Sequence, residues 1–302
     1  MPLTSSSGPL RVAVIGVGGV GAAHAHAFAA HPDVELVALA DAVPGRRDAV
    51  AAELGVPRVL DDWREVLAAD GVEAVSIALP NALHAPVTIA ALEAGLHVLC
   101  EKPLATTVAD ARAMVDAART AGRVLEVPFN HRKRGDVAFL ERYLADPGIG
   151  EIYHVRASWR RRAGIAAAGW FRSRELAGGG ALIDLGPHVL DLVLHLLGEP
   201  AVRTASAAVH GRLGTAGYGR TRSATPVHDG GDVFDVEDLA SAFLRLDGGV
   251  SVQFEISWAG HAADDEDISL EILGVDGGVR LFSRRYATEG TVQVFRDVGG
   301  VP

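Results

Sequence analysis

Short apolar runs alternate with alanine-rich stretches of helical period through the first part of the chain. Arg11–Ile15, Val34–Ala40, Ala74–Leu79, His97–Cys100 and Val124–Val127 read as strands. The stretch ending near Ala30, Ala82–Ala94 and Val108–Ala121 read as helices. Such alternation predicts a mostly parallel sheet with helices on both faces. From about Gly150 the pattern changes to longer strands at Glu151–Arg162, Val202–Gly211, Leu239–Leu246, Val250–Trp258, Ile268–Leu273 and Val279–Phe282. Turns at Asp247-Gly248-Gly249 and Asp276-Gly277-Gly278 predict antiparallel neighbours. The expected fold class is α/β. Residues 1–10 form a disordered lead-in, 11–129 a first domain, and 130–302 an α/β domain on a largely antiparallel open sheet. Gly211–Gly231, rich in Gly, Thr and Ser, reads as a long mobile loop.

One segment breaks the rule that core helices are apolar. A glycine run at 178–180 leads into a predicted helix over 180–197 whose polar positions, apart from the pair Gly186-Pro187, are Asp184, His188, Asp191 and His195. Their spacings of 4, 3 and 4 put them in one stripe. Ionisable groups are costly to bury unless paired or used. The stripe therefore reads as satisfied core pairing, as a metal site, or as an Asp-oriented histidine that carries a proton near neutrality. No further His/Asp/Glu cluster lies nearby in sequence, which disfavours the metal.

Composition narrows the function classes. A net charge of −10 argues against nucleic acid or an anionic membrane as partner. Within that acidic chain, His131 to Arg174 carries ten Lys/Arg against four Asp/Glu. The single cysteine, Cys100, excludes an internal disulfide framework and fits a reducing cytoplasm. No apolar run reaches a membrane span, and the Ser/Thr/Pro-rich start lacks the charged and apolar regions of a secretory signal.

The first strand runs into Gly16-Val17-Gly18-Gly19-Val20-Gly21 and then a helix, the strand–GxGxxG–helix order of a dinucleotide fold. The glycines permit a tight turn and close backbone approach to a pyrophosphate, and the helix N-terminus offers unpaired N–H groups. The second strand ends in Asp41, 20 residues after Gly21, where a carboxylate can accept both adenosine ribose hydroxyls. Asp41 favours NAD, since it repels a 2′-phosphate; Arg46 and Arg47 just downstream keep NADP open. Two polar clusters follow later strands, Pro80-Asn81 with His84, and Glu101-Lys102-Pro103. Ligands of such sheets sit at those strand ends.

With these motifs in hand, the sequence resembles the Gfo/Idh/MocA family of nicotinamide-dependent oxidoreductases. The resemblance rests on GVGGVGAAH at 16–24, LPNALH at 79–84, EKPL at 101–104 and GGGALIDLGPHVLD at 178–191. Val236-Glu237-Asp238 and the strand ending at Trp258 also look like the family. The resemblance implies a Rossmann domain followed by a domain whose open sheet face pairs with another subunit, as a homodimer or homotetramer. It implies that Lys102 reaches the reacting hydroxyl, that His188 is the acid/base, and that Asp184 pairs with it. Asn81 and His84 would lie beside the ribose and nicotinamide, and Glu101 near the cofactor. The Lys102–Pro103 bond is a candidate for the cis form. Departures matter too. Asn130-His131-Arg132-Lys133 stands where the family often has an Asn-Arg-Arg-Phe-like sequence, in a stretch that can border the substrate. The chain also ends at Pro302, earlier than many members.

The expected activity is hydride transfer between a secondary hydroxyl or keto group of a sugar, polyol or glycoside and NAD. Two rivals stand beside it: a glycosidase that oxidises its substrate transiently with bound NAD, and a non-catalytic Rossmann-fold sensor, which would have no need of Lys102, Asp184 and His188 together. The basic segment is the only clue to substrate. In one reading Arg160, Arg161, Arg162, Arg172 and Arg174 form a solvated or interdomain ion-pair surface. In the sharper reading Arg161 or Arg172 binds a phosphate or carboxylate of the substrate, with Asn130 and Arg132 bordering it and Trp170, or less readily Trp159, stacking on a sugar ring.

Overall fold

The computed structural model describes residues 8–145, 148–166, 169–219, 233–262, 264–287 and 289–297. The lead-in up to Ser7 and residues 220–231 of the expected mobile loop lie outside them. The chain divides into two compact units, Met1–Pro128 and Phe129–Pro302.

The first unit holds strands β1 (Leu10–Ile15), β2 (Val34–Ala40), β3 (Arg58–Leu60), β4 (Ala74–Ile77), β5 (His97–Cys100) and β6 (Leu125–Glu126). All pair in parallel, in the order β3-β2-β1-β4-β5-β6. Helices α1 (Gly19–Ala30), α2 (Pro44–Leu54), α3 (Trp63–Leu67), α4 (His84–Glu93) and α5 (Val108–Ala121) connect them. Ala13 and Ile15 of β1 enter one apolar cluster and Val14 the other, so both faces of the sheet are covered. That is why these strands read as continuous apolar runs. The strand order reverses between β1 and β4, and this switch point is where such sheets leave a crevice for a ligand. β3 and α3 are additions to the sequence reading. β3 has three residues, too few to show a period, whereas α3 carries a capping box between Asp62 and Glu65.

The second unit holds α6 (Gly135–Ala145), β7 (Ile152–Arg161), α7 (Arg174–Ala177), α8 (Ala181–Asp184) and α9 (Gly186–Leu196). Strands β8 (Val202–His210), β9 (Leu239–Leu246), β10 (Ser251–Ser257), β11 (Glu266–Gly274), β12 (Gly277–Arg284) and β13 (Val292–Phe295) follow. The sheet order is β13-β12-β11-β7-β10-β9-β8. Its pairs are antiparallel except β7 with β10, which are parallel. A parallel pair requires a long crossover, and here α7, α8, α9, β8 and β9 all lie between β7 and β10 in the chain. Val155, Ala157 and Trp159 of β7 are buried with Val189, Leu192 and Val193 of α9 in one core. The opposite face is open, and every residue of β8 is exposed.

One expectation for this unit is corrected. The helix over 180–197 is two helices, with Arg174–Asp184 bent by 46° from Gly186–Leu196. Pro187 has no N–H to continue a helix and sits in the first turn of a new one, so the polar stripe is not one straight row. In the described part of the Gly-rich loop, Leu213 and Gly214 donate their N–H groups to Asp238 Oδ2 at 2.8 and 2.7 Å. Among the described residues no single helix is long and apolar enough to cross a membrane.

Candidate active site

In the first unit the ends of β1, β2, β4 and β5 carry the cofactor candidates. Gly16 has a φ of +87°. A Cβ on Gly16 would run into the Ala78 carbonyl, and one on Gly21 into the Gly16 carbonyl, so the fold itself requires these two glycines. Gly18 and Gly19 differ. A Cβ on Gly19 would meet nothing within 4 Å, and one on Gly18 only Arg46 Nη1 at 3.9 Å. Packing therefore does not explain their bareness; an open backbone cradle at the start of α1 does, and it fits a pyrophosphate. Val20 beside them is 52% exposed.

Asp41 holds the edge of this cradle. Its Oδ2 accepts the Val17 N–H at 2.7 Å and its Oδ1 the Val43 N–H at 2.8 Å. Each oxygen keeps a lone pair for a ribose hydroxyl. Arg47 is engaged with the Asp41 carbonyl (2.7 Å), Asp48 and Asp61, whereas Arg46 lies near Gly18.

Beneath the cradle runs a polar chain that sequence reasoning passed over. His24 Nδ1 lies 2.8 Å from Ser76 Oγ, and Nε2 lies 3.2 Å from Glu101 Oε1. Glu101 Oε2 accepts the Lys102 N–H at 3.0 Å. With its proton on Nε2, His24 accepts from the serine and donates to the carboxylate, so every link is satisfied. The signal was the histidine closing GVGGVGAAH, on the α1 turn facing β4. Ser76 is fully buried, so this Ser-His-Glu arrangement offers no exposed nucleophile.

His84 is 1% exposed. Its ring lies between the Pro103 carbonyl (Nδ1, 2.7 Å) and the Leu79 carbonyl (Nε2, 2.9 Å) and ties the two turns together. Burial favours the neutral ring and outweighs the two carbonyls, so the His84 pKa is lowered. Asn81 is also buried, whereas Glu101 and Lys102 are half-buried, and Pro80 lies in the same turn. The Lys102–Pro103 peptide is cis. Cys100 is buried with its thiol pushed up to about 12, an inert strand residue.

In the second unit the polar residues of 184–195 part company. Asp191 forms a two-pronged pair with Arg132, which also reaches Glu199 at 3.2 Å. His195 pairs with Glu141 of α6. Both contacts brace α9. Asp184 accepts the Trp258 indole N–H at 2.8 Å. His188 packs against His131 and Trp159, with ring centroids 5.1 and 5.6 Å away. Burial, with Arg134 adding to it, pushes the His131 pKa down to about 4, so the residue that departs from the family pattern is a neutral ring beside His188. Asn130 is exposed next to it.

The glycine run is fixed from below. A Cβ on Gly180 would strike the Glu237 carbonyl, which instead accepts the Ala181 N–H at 3.0 Å. The buried Glu237 carboxylate takes the Gly180 and Leu182 N–H groups at 2.8 and 3.0 Å. These bonds set the direction of α8 and hence of Asp184.

The arginines of β7 have cross-strand partners. Arg156 pairs with Glu271, Arg160 with Asp267 and Arg161 with Glu266, at 3.1, 3.1 and 2.7 Å. Trp170 stacks on Phe171 at 3.8 Å. Arg172 Nε is buried without a hydrogen-bond partner among the described residues. No group of three or more His, Cys, Asp or Glu side chains gathers in metal-binding geometry among them.

Comparison with known proteins agrees in both units. Residues 10–129 match the oxidoreductase family with an NAD-binding Rossmann fold, and residues 137–280 match the GFO/IDH/MocA C-terminal domain. D-Glucoside 3-dehydrogenase of Escherichia coli is 36% identical over 96% of this chain and 82% of its own. Levoglucosan dehydrogenase of Pseudarthrobacter phenanthrenivorans is 32% identical over 89% of this chain and 73% of its own. A structure of levoglucosan dehydrogenase in complex with NADH and levoglucosan superimposes with a TM-score of 0.77 at 28% identity, covering 95% of this chain and 79% of the other. On these grounds the chain belongs to the Gfo/Idh/MocA family of NAD-binding oxidoreductases.

Proposed function

We propose that this protein oxidises a secondary hydroxyl of a sugar, polyol or glycoside, or reduces the corresponding ketone, with NAD as its partner. The reading is carried by one observation: Gly18 and Gly19 form a bare backbone cradle next to an Asp41 that keeps lone pairs for a ribose, in a chain whose relatives are sugar dehydrogenases. Gly16, Gly18, Gly19, Val20 and Gly21 hold the pyrophosphate, and Asp41 the adenosine ribose. Pro80, Asn81 and Glu101 shape the nicotinamide end, with His84 tying their turns together. NAD, when bound, supplies the hydride acceptor.

The chain supplies the rest. Oxidation needs a group that takes the hydroxyl proton while the carbon loses hydride. His188 is that base, and Asp184, fixed by Trp258, stabilises the imidazolium that results. The Lys102 ammonium lowers the energy of developing negative charge on the oxygen, worth about 3 kcal/mol for one well-placed donor. The open sheet face of the second unit, where Val202, Val209 and Phe243 are exposed, fits a second copy of the chain; light scattering of the purified protein tests this. A buried, unreactive Cys100 accords with a cytoplasmic enzyme.

The test is NADH appearance with NAD and a panel of polyols, free sugars, sugar acids, sugar phosphates and aryl glycosides, with Lys102→Ala as control. Lysine-dependent NADH formation with a panel member is expected. Aglycone release without net NADH means a glycosidase instead, and silence across the panel overturns the reading.

A further inference from the structure

Arg285 and Tyr286 are the corners of a tight turn closed by the Ala287 N–H donating to the Arg284 carbonyl at 2.9 Å. Both have positive φ, 47° and 60°. Two consecutive corners of this kind are ordinarily Gly, Asn or Asp, and an arginine and a tyrosine persist there only where surrounding contacts over-determine the geometry. The contacts are present. The Tyr286 ring meets Trp159 edge-on at 5.9 Å and 77°, and its hydroxyl accepts the Arg161 Nη2–H at 2.8 Å. Arg285 pairs with Asp265 on the other side of the turn.

Behind the tyrosine lies a balanced core. One carboxylate oxygen of Glu266 accepts both the Trp159 indole N–H (2.8 Å) and the Arg161 Nε–H (2.7 Å). The Arg161 guanidinium lies over the Trp159 ring at 5.1 Å. Trp159 itself is 3% exposed and packs against His188, so it has no face left for a ligand. Tyr286 is 51% exposed and does. Arg161, the β7 arginine nearest this cluster, is already matched by Glu266, and the pair is mostly enclosed, each side chain 19% exposed. An anionic substrate group would find that charge offset.

We propose that Tyr286 is a substrate-binding residue whose exposed face receives the C–H side of an uncharged sugar ring, and that Glu266 is a positioning residue which, by holding Trp159 and Arg161, makes the site disfavour rings bearing a carboxylate or phosphate there. The inference rests on the sugar-dehydrogenase reading above and adds its wall and its charge preference. Burial of an apolar ring face against an aromatic one supplies affinity, and the offset arginine supplies discrimination.

The test compares wild type, Tyr286→Ala, Tyr286→Phe and Glu266→Gln with a methyl glucoside and the matching glucuronide, each variant first checked for an unchanged melting temperature. Wild type should favour the neutral glycoside by about tenfold or more in kcat/KM. Tyr286→Ala should raise KM for it about tenfold with kcat within about threefold, and Tyr286→Phe, which keeps the ring, should restore KM to within about threefold. Glu266→Gln, which leaves Arg161 unmatched, should narrow the preference by about fivefold. An unchanged KM in Tyr286→Ala, an unchanged preference in Glu266→Gln, or a wild-type preference for the glucuronide overturns the inference. Ligand-observed NMR of glucoside binding in the presence of NADH separates the two readings. Tyr286-dependent binding without turnover defeats the dehydrogenase reading alone, whereas turnover or binding indifferent to Tyr286 defeats this one.

Discussion

The two units satisfy their polar groups in different ways. In Met1–Pro128 two of the cofactor candidates rest on backbone, Asp41 held by the N–H groups of Val17 and Val43 and His84 by two carbonyls, while Glu101 meets the His24 side chain. In Phe129–Pro302 the candidates rest on side chains from remote strands. Trp159 and Glu266 are 107 residues apart, Arg161 and Tyr286 are 125 apart, and Asp184 and Trp258 are 74 apart. A backbone cradle suits a ligand part that is always the same, since any sequence with the right glycines supplies it. A wall of paired side chains can be altered one pair at a time, which suits a substrate that differs between relatives. This contrast fits the proposal that the first unit binds the common partner and the second selects the substrate.

The largest effect should come from Lys102, the residue of the first unit proposed to act on the substrate. Lys102→Ala should lower kcat by about a thousandfold, with NAD affinity within about threefold of wild type by fluorescence titration. A parallel loss of NAD affinity would erase the division of labour. Next comes Glu237→Ala, which leaves the Gly180 and Leu182 N–H groups without their acceptor. It should destabilise the fold by about 2–4 kcal/mol in urea unfolding, and an unchanged midpoint would show that α8 is set by other contacts.

A comparable effect depends on pH. The His131 pKa is pushed down to about 4 in the folded chain, while the unfolded chain has the ordinary value near 6.5. Between those values the unfolded chain binds more protons, so stability falls as pH drops from about 6.5 toward 4, by up to about 3 kcal/mol. His131→Phe should flatten that part of the stability profile relative to wild type; parallel profiles would refute it. The smallest effect sharpens the first half. His24→Ala should raise KM for NAD by about tenfold with a smaller change in kcat, and combining it with Glu101→Gln should give less than the sum of the two losses. Full additivity would show that His24 and Glu101 act separately.

The same contrast explains what the sequence disclosed. Strand runs, the GxGxxG turn, Asp41 and the EKP turn are local, so their order along the chain was enough to place them at the carboxyl ends of a parallel sheet. The polar residues from Asp184 to His195 were legible as unusual, but not as three separate arrangements, because their partners Trp258, Arg132 and Glu141 lie on other elements. Pro187 was visible and marks the break between α8 and α9, yet the apolar period running through it suggested one helix. Arg161 resembled an anion site for a similar reason: Glu266 lies across a strand pair, and no periodicity joins the two. Tyr286 carried no local signal, since only the backbone geometry of its turn sets it apart.

NADH absorbance with NAD and a neutral methyl glycoside, followed for wild type and His188→Ala, decides whether His188 takes the proton. Wild type should form NADH steadily and the variant should lose about a hundredfold or more of that rate, with NAD affinity unchanged. Equal rates in the two proteins would contradict it, because the proton would then be taken by a group other than His188.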